Sequence, residues 1–112
     1  SQLEGRPDSP GNLNLAAIYL YYGDRVRAYR CLRRVFDSAI GSNNYYMTSA
    51  SLINLLTSDI DQSIMPNDTI RHIIELFREK VPNTPEHGLW HTVIQRQKSI
   101  VSTGMTTKLS QC

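Results

Sequence analysis

A chain of 112 residues, 40% hydrophobic and 20% charged, is long enough to bury one core and too short for two ordinary domains. That balance excludes a disordered or collagen-like polymer. A net charge of +2 excludes an argument for nucleic acid from total charge, leaving only local clusters. No apolar run reaches the roughly 20 residues of a membrane span, so a soluble intracellular protein, cytoplasmic or nuclear, with no membrane partner is expected. Cys31 and Cys112 are too few and too far apart for a disulfide framework. Cys31 is read as a small core residue and Cys112 as a free thiol in a tail.

Residues 1–11, "SQLEGRPDSPG", mix Pro, Gly, Ser and charge without periodicity and read as a flexible lead-in. A helical domain is expected over 12–103, followed by a flexible tail over 104–112. The first helix, residues 13–22, is apolar nearly all round, with Asn14 its one strongly polar residue. Such a helix is either wrapped on all sides or waits for a partner. Its tyrosines Tyr19, Tyr21 and Tyr22 suit a contact surface, because the ring can be buried while the hydroxyl stays wet. Gly23-Asp24 stops this helix and starts the next, with Asp24 accepting hydrogen bonds from free N–H groups of the new first turn.

The second helix, residues 24–40, is expected to end at Gly41. Ala28, Cys31, Leu32, Val35, Phe36 and Ala39 form its apolar arc, and Arg27, Arg30, Arg33 and Arg34 gather opposite with Asp37. Four guanidinium groups over about two turns point to an acidic group, because arginine grips carboxylate or phosphate bidentately. A solvated face pairing with acids elsewhere in the fold, an acidic peptide, and nucleic-acid phosphate all remain open readings of this side.

The third helix, residues 42–58, carries Tyr45 or Tyr46, Ser49, Leu52, Ile53 and Leu56 at helical spacing. Asn44, Thr48, Ser51 and Asn54 are expected on its solvent side. "DIDQSIMPND" then reads as a loop; Asp59 and Asp61 lack the Gly and closing Glu of a calcium loop. The fourth helix, residues 67–81, sets Ile70, Ile73, Ile74, Phe77 and Val81 on one face. Arg71, Glu75, Arg78 and Glu79 lie on the other, with Arg71 and Glu75 spaced to pair. Asn67-Asp68-Thr69 matches a glycosylation sequon but is read as a cap. A fifth helix is expected from "TPEHGLW", where Thr84 caps, Pro85 opens and Glu86 meets the positive helix end. Leu89, Trp90, Val93 and Ile94, with Ile100 and Val101 further on, line its apolar stripe.

The expected architecture is therefore all-α: a compact bundle of about five helices, of helical-hairpin or α-solenoid type. No chemistry emerges from it. His87 and His91 have i,i+4 spacing but lack the neighbouring Glu of a zinc protease, and His72 reads as a helix-surface residue. No Gly-rich phosphate loop occurs, and no carboxylates form the buried pair that acid–base work requires. Catalytic, cofactor and metal residues are accordingly expected to be none, and the protein is not expected to be an enzyme.

Leu15, Ala16, Tyr19, Gly23, Asp24, Ala28, Leu32 and Val35 stand where the tetratricopeptide family places its large, small, aromatic, Gly-Asp turn, small and large residues. Over residues 14–40 the chain thus resembles a single tetratricopeptide helical hairpin, in which small residues let two helices approach closely. At the family's repeat length, about 34 residues, Ser49, Thr57 and Gln62 replace Leu15, Gly23 and Ala28, so no tandem repeat follows. The resemblance implies a peptide- or protein-binding scaffold without cofactor. The leading functional expectation is a protein-interaction module, an adaptor or scaffold binding another protein or a second copy. Its contact residues would be Tyr19, Tyr21, Tyr22, Arg27, Arg30, Arg33, Arg34, Tyr45 and Tyr46. The alternative is a nucleic-acid-binding domain using the arginine stripe. A third reading makes the chain part of a longer helical-repeat protein, with the first helix facing a neighbouring repeat.

Overall fold

Extended backbone at Ser9 leads into Pro10, whose fixed φ suits a first helical turn and whose missing N–H would have had no intrahelical partner. From there α1 runs Pro10–Tyr21, α2 Arg25–Gly41, α3 Tyr45–Thr57 and α4 Asn67–Lys80. The computed structural model describes residues 7, 9–58, 60–83, 92 and 95. Among these the fold is all-helical, with four helices rather than about five and no strand. The fifth helix expected over 84–101 falls almost wholly outside the described residues, as does the tail over 104–112.

One turn design is used twice. At the end of α1 the Gly23 N–H donates to Leu20 O at 3.0 Å and the Asp24 N–H to Tyr19 O at 2.8 Å, with Gly23 at φ +80°. This is a Schellman closure, in which a left-handed residue lets two orphan carbonyls find donors. Asp24 then caps α2, its Oδ1 accepting from the Arg27 N–H at 3.1 Å. At the end of α2 the Asn44 N–H donates to Ala39 O at 2.8 Å, Asn43 takes φ +60°, and Asn44 Oδ1 accepts from the Met47 N–H at 3.3 Å. Gly41 is therefore the last residue of α2 rather than its stop, and α3 starts at Tyr45 rather than at residue 42. Asparagine tolerates the left-handed region well enough to replace glycine there.

α2 packs on both α1 and α3, and α3 also meets α4. The main core joins Leu32 and Phe36 of α2, Leu52, Leu55 and Leu56 of α3, and Ile73, Ile74 and Phe77 of α4. From α1 only Ala16 is buried. The helix that looked most apolar is thus an edge helix, and the interior pair is α2 and α3. Beyond the helices, Val81 is buried as expected, and Met65 plugs the core from the loop before α4.

Two faces differ from expectation. Thr48 and Ser51, expected in solvent, are fully buried; their hydroxyls donate to Asn44 O at 2.8 Å and Thr48 O at 3.0 Å. A hydroxyl satisfied by its own helix can enter a core at little cost, which is why an uncharged polar stripe can face inward. On α4 the apolar face is as expected, with Ile70 half-buried, but Arg71 pairs with Asp68 at 3.4 Å rather than with Glu75.

Candidate functional site

Side chains advance about 100° per residue, so burying Ala16 turns Asn12, Leu13, Tyr19 and Leu20 partly inward and leaves most of the remaining α1 side chains outside. Leu15 is 39% exposed, Ile18 52%, Tyr21 84% and Tyr22 79%, and Val26 at the start of α2 adds 43%. The rings of Tyr21 and Tyr22 meet edge-to-face, with centroids 5.2 Å apart and planes at 87°. Scattered exposed apolar residues are ordinary, whereas contiguous ones on one face mark interaction surfaces.

Beside this face, α1 and α2 enclose a cleft of about 570 Å³. Pro7, Asn12, Leu15 and Tyr19 form one wall, and Arg27, Arg30, Cys31 and Arg34 form the other. The α2 residues share one strip because positions i, i+3, i+4 and i+7 stack on one side of a helix. Arg27 Nε lies 3.5 Å from Asp24 Oδ2, an exposed pair worth little. No carboxylate among the described residues lies within ion-pair distance of Arg30 or Arg34. The wall is braced by Asn12, whose Nδ2 donates to Pro7 O at 2.9 Å, while its carbonyl accepts from Cys31 Sγ at 3.2 Å. Burial pushes the Cys31 thiol above its ordinary value, outweighing the downward pull of the Arg34 charge and the Ala16 amide. The arginine wall therefore also carries a neutral thiol.

Of the residues expected to form the site, Tyr19, Arg27, Arg30 and Arg34 come together in this cleft. Tyr21 and Tyr22 lie on the outer face of α1. Arg33 does not line the cleft. It reaches Tyr29 Oη at 3.5 Å and Asp37 Oδ1 at 3.4 Å, with Nε buried and without a hydrogen-bond partner. Tyr45 packs half-buried against the core, while Tyr46, 67% exposed, stands on α3 away from the cleft. Sequence reasoning missed Asn12 and Val26, and it read Cys31 as a core residue only, whereas Cys31 packs half-buried against the core and also lines the cleft. The signal was available in the spacing, since Cys31 follows Arg27 by four residues and precedes Arg34 by three.

Among the described residues no three His, Cys, Asp or Glu side chains cluster as metal ligands. His87, His91 and Asp59 lie outside the described residues. Asp61 is an exposed turn residue whose Oδ1 accepts from the Ser63 N–H at 2.8 Å, which holds its carboxyl below the usual range. No described helix is long and apolar enough to cross a membrane. Comparison with protein-family models, curated proteins and solved structures finds no match for the chain.

Proposed function

We propose that the protein is a non-enzymatic protein–protein interaction module that uses the outer face of α1 and the arginine wall beside it. The observation that carries this is the exposure of Leu15, Ile18, Tyr21, Tyr22 and Val26 on the two helices that form the arginine-lined cleft, with Leu15 in its wall. Its occupant is a segment of another protein with an apolar centre and an acidic flank. A second copy of the chain is the poorer fit, because neither the exposed apolar residues nor the cleft lining includes a carboxylate to offer the arginines of the other copy. The tetratricopeptide-like reading of α1 and α2 agrees with this role. Ala16 and Ala28 are buried small residues and Gly23-Asp24 forms the turn, although Leu15 is half-exposed rather than buried.

The alternative, nucleic-acid binding through Arg27, Arg30 and Arg34, has the guanidinium cluster in its favour. Phosphate binding would make affinity fall steeply with salt, with a log–log slope of about −0.9 per phosphate neutralised on B-DNA. An apolar helix face beside the cluster gives a phosphate backbone nothing to bind.

The test immobilises wild type, Ile18→Glu and Tyr46→Glu side by side in nuclease-treated extract, then measures each captured protein again in purified form. Both positions are exposed, so stability should change by no more than about 0.5 kcal/mol. A partner held by wild type and Tyr46→Glu, but lost by Ile18→Glu, supports the reading. Equal binding to all three refutes it. Light scattering that shows a dimer broken by Ile18→Glu would make the occupant a second copy instead.

A further inference from the structure

We infer that the cleft between α1 and α2 reads carboxylates, and that the segment it takes is a peptide with an aspartate or glutamate beside an apolar side chain. This rests on the interaction-module reading and names the chemistry that its partner presents. Arg30 and Arg34 stand one helical turn apart with no carboxylate partner among the described residues. Like charges on adjacent turns of one helix face repel one another, and a carboxylate between them relieves that repulsion while accepting bidentate hydrogen bonds. Cys31, between Arg30 and Arg34 on the same wall, does not supply the missing negative charge, because its thiol donates to the Asn12 carbonyl.

The opposite wall decides which anion belongs there. Leu15 and the ring of Tyr19 face the guanidinium groups across the cleft, so its occupant meets charge on one side and an apolar surface on the other. An acidic residue followed by an aliphatic or aromatic one satisfies both walls. The volume of about 570 Å³ sits within the range of about 300–1,000 Å³ found for ligand pockets and suits a few side chains.

A nucleic-acid strand needs a longer cationic track, and this one is short. Arg27 already has Asp24 at 3.5 Å, and Arg33 is turned aside to Tyr29 and Asp37. Two neighbouring cations remain for a ligand, which matches two carboxylates spaced a turn apart on a helix (about 6 Å) or two residues apart on an extended strand (about 6.6 Å).

The experiment selects binders from a display library of random peptides on the full chain. The best peptides are then measured by fluorescence anisotropy against wild type, Ile18→Glu and the double variant Arg30→Gln/Arg34→Gln. The expected binders place Asp or Glu next to Leu, Ile or Phe. Changing those acids to Gln should weaken binding about tenfold or more, and the arginine double variant should lose that preference. Peptides that bind equally well with Glu or Gln, or that bind the double variant as tightly as wild type, overturn the carboxylate site. If such peptides are still lost on Ile18→Glu, the interaction module itself stands. A library yielding no binder counts against both. A single-stranded oligonucleotide that binds more tightly than any peptide and displaces it from the cleft overturns the proposal in favour of phosphate.

Discussion

Gly23 and Gly41 allow the turn design to be tested with one chemical change at two places. A Cβ built on either glycine meets nothing within 4 Å, so alanine adds a methyl group to open space in both cases. The backbone is what differs. Gly23 sits at φ +80°, where an L-residue is strained by about 1–2 kcal/mol. Part of that is offset, because alanine restricts the unfolded chain by about 0.4–1 kcal/mol. Gly23→Ala should therefore destabilise by about 1 kcal/mol. Gly41 is helical and lies outside the left-handed region, so Gly41→Ala should stabilise by about 0.5–1 kcal/mol. Each kcal/mol moves the midpoint of a domain this size by about 4–8 °C, giving melting temperatures on the order of 10 °C apart. Thermal and urea unfolding followed by far-ultraviolet circular dichroism would measure both. Two midpoints that move in the same direction by similar amounts would refute the argument from backbone conformation.

Phe77 is fully buried in the main core, so Phe77→Ala should cost about 3–5 kcal/mol by urea unfolding. Thr48→Val should cost less than about 1 kcal/mol, because its hydroxyl bonds only to its own helix, whereas Thr48→Asp buries a charge and should prevent folding. In a Cys112→Ser background, alkylation of Cys31 should be slower than that of a cysteine peptide and need a higher pH, since burial keeps the thiol protonated and the thiolate is the nucleophile. Asp61 has a lowered folded-state value, so its contribution is present above the ordinary aspartate range and is lost as pH falls through the lowered value. Urea midpoints measured from neutral to acid pH should show a shallower acid limb for Asp61→Asn.

Helix positions were legible where periodicity and caps agreed. Ile73, Ile74 and Phe77 on α4, and Val81 just past its end, are buried as their spacing predicts, and Asp24 caps α2 as its chemistry predicts. On α3 the inward stripe was legible, since Ser49, Leu52 and Leu56 are buried as their spacing predicts, but its width was not. A helix without charged residues marks its polar side weakly, and Thr48 and Ser51, expected in solvent, satisfy their hydroxyls locally and go inside. Asn43 was missed as a turn residue because Gly41, two positions earlier, looked like the natural stop. Within the site, spacing grouped Arg27, Arg30 and Arg34, but it could not show that Arg33 would turn toward Asp37. That choice depends on which neighbour stands beside each side chain, and a single-helix projection holds no neighbours.

The attachment of α1 has a kinetic side. A helix that buries only Ala16 fully, with Leu13 half-buried beside it, and is tied to α2 through one tight turn, has less apolar burial to hold it down than α2 or α3. Its amides should exchange with deuterated solvent in a separate low-energy opening, while those of α2 and α3 wait for global unfolding. The same looseness would let a bound chain slow that exchange selectively, so protection confined to residues 10–22 would be a direct footprint of occupancy.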